Sequence, residues 1–153
     1  AYNAGTLMLQ VKRDHGEWTV KKLWHQPDYG TQIPLPIVYR GCVYLNSHEN
    51  YRDNGMVCLS EETGEFKWRT KGNDAVSRFE SGPILAVDGV LLCISDITGN
   101  LCVLKPSLDA YTELAKAKVL DGKQLWGNMA LSRGHLILRG PTSLKCLDLR
   151  KGK

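Results

Sequence analysis

The stretch Gly55-Met56-Val57-Cys58-Leu59-Ser60-Glu61-Glu62-Thr63-Gly64-Glu65-Phe66-Lys67-Trp68 predicts two short β-strands joined by a tight turn. An apolar run leads into a polar turn, and Gly64 supplies the positive φ angle that tight turns need. After the turn, polar and aromatic residues alternate, which is typical of a strand with one exposed face. The stretch therefore predicts an antiparallel hairpin.

The first strand of this hairpin recurs along the chain. Residues 99–104 and 143–148 repeat it, and residues 5–10 form a fourth copy with a methionine in the cysteine position. The repeated cysteines, Cys58, Cys102 and Cys146, are 44 residues apart. A constant spacing indicates a repeat, so we expect these cysteines to share one repeat position as small buried apolar residues.

A second unit precedes three of these copies and consists of two apolar stretches joined by a tight turn. The turn glycines, Gly41, Gly89 and Gly134, are 48 and 45 residues apart. Together the two units predict a four-stranded antiparallel meander. Residues 107–120 are also compatible with an amphipathic helix, but they occupy the place of the fourth strand, so a strand is predicted there.

Several inner strands are apolar on both faces, as in Val90-Leu91-Leu92-Cys93-Ile94. Such a strand is expected to be buried on both sides. A repeated meander that is covered on both faces is typical of the blades of a β-propeller. The sequence thus predicts an all-β fold with about three and a half blades of four antiparallel strands. The predicted single partial propeller domain spans residues 1–153, with blades at residues 1–28 (partial), 33–72, 82–120 and 127–153 (partial).

Residues 55–68 and the final segment 126–149 resemble the PQQ-like, quinoprotein-type β-propeller repeat. In that repeat a strand, an acidic turn containing Thr-Gly-Glu and a tryptophan recur, and Trp68 resembles the tryptophan that docks one blade on the next. Some proteins of this family are named alcohol or polyvinylalcohol dehydrogenases. The resemblance implies the C-terminal part of such a propeller and a periplasmic or extracellular location.

The chain departs from the dehydrogenases of that family. It has no adjacent pair of cysteines and no recognisable counterpart of their catalytic aspartate. We therefore predict no catalytic residue, no metal site and no cofactor in this chain. PQQ and calcium are expected under the alternative interpretation alone, in which residues outside this chain complete a PQQ-dependent alcohol dehydrogenase.

Composition excludes several other classes. The chain has 153 residues, 42% hydrophobic and 24% charged, which is the balance of a globular protein rather than of a disordered or fibrous one. Its net charge of +4 comes from scattered basic residues, so no nucleic-acid partner is predicted. No apolar run is long enough for a membrane span, and the first residues do not match a signal peptide.

The segments that lead into the inner strands are expected to meet at the mouth of the propeller channel, where propellers usually bind ligands. These segments are residues 25–33, 72–81 and 121–128. The predicted ligand-binding residues in them are His25, Gln32, Asp74, Arg78, Glu80, Trp126 and Asn128. The favoured function is a non-catalytic binding platform for a protein or a small ligand.

An arc of three and a half blades leaves edge strands and apolar faces uncovered. We expect one of two partners to cover them. Either further N-terminal blades complete the ring, or a second copy of the chain forms a homodimer with a closed ring.

Overall fold

The chain folds back on itself at short turns and forms antiparallel sheets. The computed structural model describes residues 4–49, 52–71 and 79–150, and in these residues the chain forms thirteen β-strands and no helix. The first sheet contains two strands, β1 (Thr6–Asp14) and β2 (Glu17–Gln26). The second sheet contains four strands: β3 (Ile37–Tyr39), β4 (Cys42–Glu49), β5 (Arg52–Ser60) and β6 (Phe66–Arg69).

The third and fourth sheets repeat this meander. The third sheet contains β7 (Ile84–Val87), β8 (Val90–Ile94), β9 (Asn100–Leu104) and β10 (Glu113–Lys118). The fourth sheet contains β11 (Ala130–Ser132), β12 (His135–Arg139) and β13 (Leu144–Asp148). In every sheet, consecutive strands are neighbours and pair antiparallel. The predicted all-β, antiparallel fold is confirmed, and so is the strand expected within residues 107–120.

Two-residue turns join the first two strands of the second, third and fourth sheets. Both residues of each turn have positive φ angles, as type I′ hairpin turns require. In the second sheet, Arg40 has φ 51° and Gly41 has φ 77°. The equivalent pairs are Asp88-Gly89 and Arg133-Gly134. The turns predicted from the glycine spacing are therefore present.

The four sheets stack face to face in chain order. Between the first and second sheets, Trp24 packs against a buried set of four residues, namely Val43, Leu45, Val57 and Leu59. Between the second and third sheets, Tyr44 and Met56 of the second sheet pack against Leu91, Cys93 and Leu104 of the third. Between the third and fourth, Leu92 and Ile94 pack with Leu136 and Leu138. The second and third sheets are thus apolar and covered on both faces, as predicted for β8.

The cysteines do not share one repeat position. Cys58 pairs with Tyr44 and faces the third sheet, whereas Cys102 pairs with Cys93 and faces back towards the second. The two sulfurs therefore belong to opposite faces of equivalent strands. The expectation from the 44-residue spacing is wrong at Cys102, because the connections between strands differ in length and a slip of one residue turns a side chain to the other face.

Cys146 also differs from expectation, since it is exposed whereas the other four cysteines are buried. It pairs with Ile137 on the face of the fourth sheet that points away from the third sheet, and no described sheet covers that face. This cysteine occupies the same place in its sheet as Cys58 does in the second. Its exposure therefore follows from its position at the end of the stack.

Candidate functional site

The connections between successive sheets lie at one end of the strands, together with the turns between the second and third strand of each sheet. We call this the connection end. In an antiparallel meander these two kinds of loop must share an end, because strand direction alternates. Of the sequence-predicted ligand-binding residues, five belong to this end: His25, Gln32, Glu80, Trp126 and Asn128.

Asp96, in the turn after β8, brings two of the predicted residues together. Its Oδ1 atom accepts a 3.1 Å hydrogen bond from the backbone N–H of Glu80. Its Oδ2 atom accepts another, also 3.1 Å long, from the indole Nε1 of Trp126. The aspartate is 3% exposed, so a buried carboxylate joins the connections that enter and leave the third sheet. Sequence reasoning missed Asp96, which it treated as an ordinary turn residue.

The other predicted residues are not joined to this carboxylate. His25 is exposed at the end of β2, and its Nε2 lies 2.8 Å from the carbonyl oxygen of Ala4, to which it donates. Gln32 is half-buried and Asn128 is exposed, and no hydrogen bond in the described part of the chain links either to Asp96. Asp74 and Arg78 lie outside the described residues.

The interior of the connection end is polar. The buried polar side chains of the described residues all lie there: Asn46, Ser47, Asn54, Thr70, Ser81, Ser95 and Asp96. Asn46 Nδ2 donates a 2.6 Å hydrogen bond to the carbonyl oxygen of Gly82, which links the second sheet to the strand entering the third. Thr70 Oγ1 accepts a 2.9 Å bond from the N–H of Met56. These bonds hold the sheets in register where apolar packing gives way to loops.

The glycine of the repeat has a structural role at this end. Gly55 and Gly99 precede the apolar part of β5 and β9 and have φ angles of +67° and +71°. A Cβ atom on Gly55 would lie 2.2 Å from Thr70 Oγ1, and one on Gly99 would lie 2.0 Å from the carbonyl oxygen of Leu120. Glycine is therefore required at the point where the chain that leaves the fourth strand of a sheet passes close to the third strand. Phosphate binding is not needed to explain it.

A cavity of about 270 Å³ opens beside Trp126 at the connection end. One wall carries Gln124, which has a φ angle of +59°. Arg139 also lines the cavity. A Cβ atom added to Gly127 would lie 3.0 Å from the Cβ atom of Arg139. Trp126 is 40% exposed, so its ring is available to a bound molecule while its N–H is held by Asp96.

Burial keeps three titratable groups of the core, Tyr44, Cys58 and Cys93, in their protonated form. Burial raises the pKa of the Cys58 and Cys93 thiols, and neighbouring thiols raise it further. Burial likewise raises the pKa of the Tyr44 hydroxyl. All three groups are therefore protonated at neutral pH, and a thiol is a weak nucleophile in that form.

The alternative interpretation, a PQQ and calcium site completed by residues outside this chain, stays a prediction. Calcium takes six to eight oxygen ligands, several of them carboxylates. In residues 4–49, 52–71 and 79–150, no three side chains of histidine, cysteine, aspartate or glutamate are placed to share a metal ion. The carboxylate of Asp96 already accepts two N–H bonds, and Asn54 Oδ1 lies 3.5 Å from a guanidinium nitrogen of Arg69.

No protein-family model matches the chain, and no curated protein matches it. The resemblance to PQQ-like propellers therefore stays a prediction. Within the described residues, no helix is long and apolar enough to cross a membrane.

Proposed function

We propose that the chain is part of a β-propeller and acts as a non-catalytic binding platform, with its sheets as blades. The spacing of the sheets supports this proposal. Among the described strands of different sheets, the first strands β3 and β7 have the most backbone contact. The N–H of Gly89, in the turn after β7, also donates a 3.1 Å hydrogen bond to the hydroxyl of Tyr39 on β3.

Larger side chains fill the space between the last strands of neighbouring sheets. Trp68 on β6 and Tyr111, just before β10, lie between the second and third sheets with ring centroids 6.1 Å apart. Sheets that are close at their first strands and separated by aromatic rings at their last strands form a wedge. Repetition of a wedge produces radial blades around an axis, as in a propeller.

The observation that carries the proposed role is the uncovered apolar surface at both ends of the stack. On the second sheet, Tyr44 and Met56 are 0% exposed because the third sheet covers them. The equivalent residues of the fourth sheet, Ile137 and Leu144, are 41% and 71% exposed. We call this surface the fourth-sheet face. It has the composition of an internal interface without the sheet that would cover it.

The first sheet has a matching surface, which we call the hairpin face. Leu7 and Leu9 occupy the positions that Val57 and Leu59 occupy in the second sheet, but they are 51% and 46% exposed whereas Val57 and Leu59 are 0% exposed. Further along the hairpin, large apolar side chains on the same face are also exposed: Val11, Trp18 and Val20. A hairpin of two strands is marginally stable in water, so a surface that covers this face would stabilise it.

The proposed partner is a second copy of the chain. The fourth-sheet face of each copy would pack on the hairpin face of the other, in the order in which the sheets already stack within one chain. Two such reciprocal contacts are related by a two-fold axis and close a ring of eight sheets. Propellers commonly have four to eight blades, so a ring of this size is within the normal range.

Light scattering coupled to size-exclusion chromatography tests the assembly. We expect a dimer, and we expect Leu144→Glu on one face or Val11→Glu on the other to convert it to a monomer. The matched control is Leu114→Glu, at a 54% exposed position of β10 outside both faces, which should leave the dimer intact. A monomeric natural chain at high concentration would contradict the proposal.

A further inference from the structure

A second cavity, of about 450 Å³, lies towards the opposite end of the strands from Asp96. The turn after β3 and the turns after β5 and β9 meet at this end. Three sheets line the cavity: Met8 and Leu23 come from the first, Gly41 from the second, and Leu108 from the third. Its volume is within the range of natural small-molecule pockets, which are concave and mostly apolar.

The apolar wall of this cavity is open to solvent. Leu23 is 46% exposed and Leu108 is 39% exposed. Met8, which packs against the core between the first and second sheets, forms the floor. An aliphatic group that entered the cavity would remove this surface from water.

Two carboxylates stand at the rim, on a turn that hydrogen bonds hold rigid. Glu61 and Glu62 belong to the turn after β5. The N–H of Glu61 donates a 2.9 Å bond to the carbonyl oxygen of Gly41, and the indole Nε1 of Trp24 donates a 2.8 Å bond to the carbonyl oxygen of Glu61. The N–H of Gly64 closes the turn with a 2.9 Å bond to the carbonyl oxygen of Ser60.

Among the described residues, the ion pairs nearest these carboxylates in sequence do not include them. The next acidic residue along the chain, Glu65, forms a 2.9 Å ion pair with Lys67. No lysine or arginine in the described part of the chain pairs with Glu61 or Glu62. The rim therefore presents two negative charges beside an apolar wall, in a chain whose net charge is +4.

We propose that this cavity binds a primary alkylammonium ion. The aliphatic body packs on Met8, Leu23 and Leu108, and the ammonium group donates hydrogen bonds to Glu61 and Glu62. Hydrogen bonds between ionised donors and carboxylates are stronger than neutral ones, so the charge sets the orientation of the ligand. The site lies on residues other than those of the proposed assembly, and it does not depend on the dimer.

Titration of the full chain with n-hexylammonium chloride, followed by two-dimensional amide NMR, tests the site. A ligand with so few atoms is expected to bind with millimolar affinity. We expect saturable shifts of the amide signals of Gly41, Glu61 and Glu62 and of the indole N–H signal of Trp24. Hexanoate has the same body with the opposite charge and should leave these signals in place, and ammonium chloride should bind at least tenfold more weakly.

Variants separate the charge from the apolar wall. The double change Glu61→Gln with Glu62→Gln should weaken hexylammonium binding at least fivefold, whereas Glu17→Gln, at the exposed start of β2, should leave it unchanged. Leu108→Ala should weaken binding about threefold, and Leu114→Ala should not. Each variant is first compared with the natural chain by its NMR spectrum away from the cavity. Equal shifts with hexanoate, or unchanged affinity in the double variant, would overturn the proposal.

Discussion

The indole Nε1 of Trp68 donates a 3.0 Å hydrogen bond to the carbonyl oxygen of Ser107, across the interface between the second and third sheets. The same bond occurs one sheet earlier, where Trp24 Nε1 donates to the carbonyl oxygen of Glu61 over 2.8 Å. In both cases a tryptophan of the last strand reaches the turn after the third strand of the next sheet. The packing expected of Trp68 is therefore present, and Trp24 has the same role.

Trp68→Phe should reduce the free energy of unfolding by about 1 kcal/mol, because the carbonyl of Ser107 loses its indole donor. Trp68→Ala should cost about 3 kcal/mol, since the large ring between the sheets is also lost. Urea unfolding at a fixed protein concentration measures both. Leu114→Ala, at a 54% exposed position outside both faces of the proposed dimer, is the control and should change little. An unchanged free energy of unfolding in Trp68→Phe would show that the hydrogen bond does not stabilise the fold.

Gly64→Ala and Gly16→Ala separate backbone strain from a steric clash. Both glycines have positive φ angles, +73° and +91°. A Cβ atom on Gly64 would lie 2.6 Å from the ring of Trp24, whereas one on Gly16 would meet nothing within 4 Å. We expect about 1 kcal/mol of destabilisation at Gly16 and about 2 kcal/mol more at Gly64. Thermal unfolding of the two variants, side by side, measures the difference, and equal losses would contradict it.

Asp96→Asn should destabilise the chain by about 2 kcal/mol, because hydrogen bonds to a charged acceptor contribute more than neutral ones and an amide cannot accept on both atoms. The indole N–H signal of Trp126 should move in the NMR spectrum. Asp121→Asn is the control, since the side chain of Asp121 is 89% exposed. A normal Trp126 signal in Asp96→Asn would mean that the carboxylate does not hold the ring.

Thiol labelling should distinguish Cys146 from the other four cysteines. With Ellman's reagent at pH 8 the native Val11→Glu variant, in which the fourth-sheet face is uncovered, should release one equivalent rapidly, from Cys146, and the urea-unfolded variant five. Cys146→Ser should abolish the rapid reaction. Rapid labelling of Cys93 would contradict its burial and its raised pKa, which keeps the thiol protonated.

Asp148 should titrate at low pH. Its hydrogen bonds from Arg150 lower the pKa of the carboxyl from 3.8 to about 2. Because the folded pKa is the lower one, the carboxylate contributes to stability above about pH 3.8, and this contribution is lost as the pH falls towards 2. Carboxyl chemical shifts should show this pKa, and Arg150→Gln should raise it towards the ordinary value. An unchanged pKa in Arg150→Gln would rule out the guanidinium as the cause.

The architecture was predictable because it depends on patterns that extend over many residues. Spacing and turn glycines located the meanders, and the position of residues 107–120 in the repeat predicted a strand although local spacing allowed a helix. In that segment the pairing of Ala115 with Val103 outweighs local preference. The all-β architecture was therefore predictable from the long-range periodicity of the sequence.

The site was harder to predict because it depends on single contacts. Asp96 is one of several aspartates in turns, and nothing local distinguishes a carboxylate that receives an indole N–H from the next connection. Its position directly after the apolar strand β8 was the available signal, since a polar residue at the end of a buried strand must find a partner. The sequence placed Glu80 and Trp126 in segments expected to meet, and the structure joins both to Asp96, which the sequence did not indicate.

The opposite orientations of Cys58 and Cys102 have an evolutionary consequence. In a sheet with one apolar face, inserting or deleting a single residue in a strand connection would turn the core side chains to solvent. It would also turn polar side chains into the core. The second and third sheets are apolar on both faces, so such a change exchanges one buried surface for another. A gene encoding these sheets can therefore gain or lose single codons between strands with little loss of hydrophobic burial, and cysteines that match in spacing can come to face different neighbours.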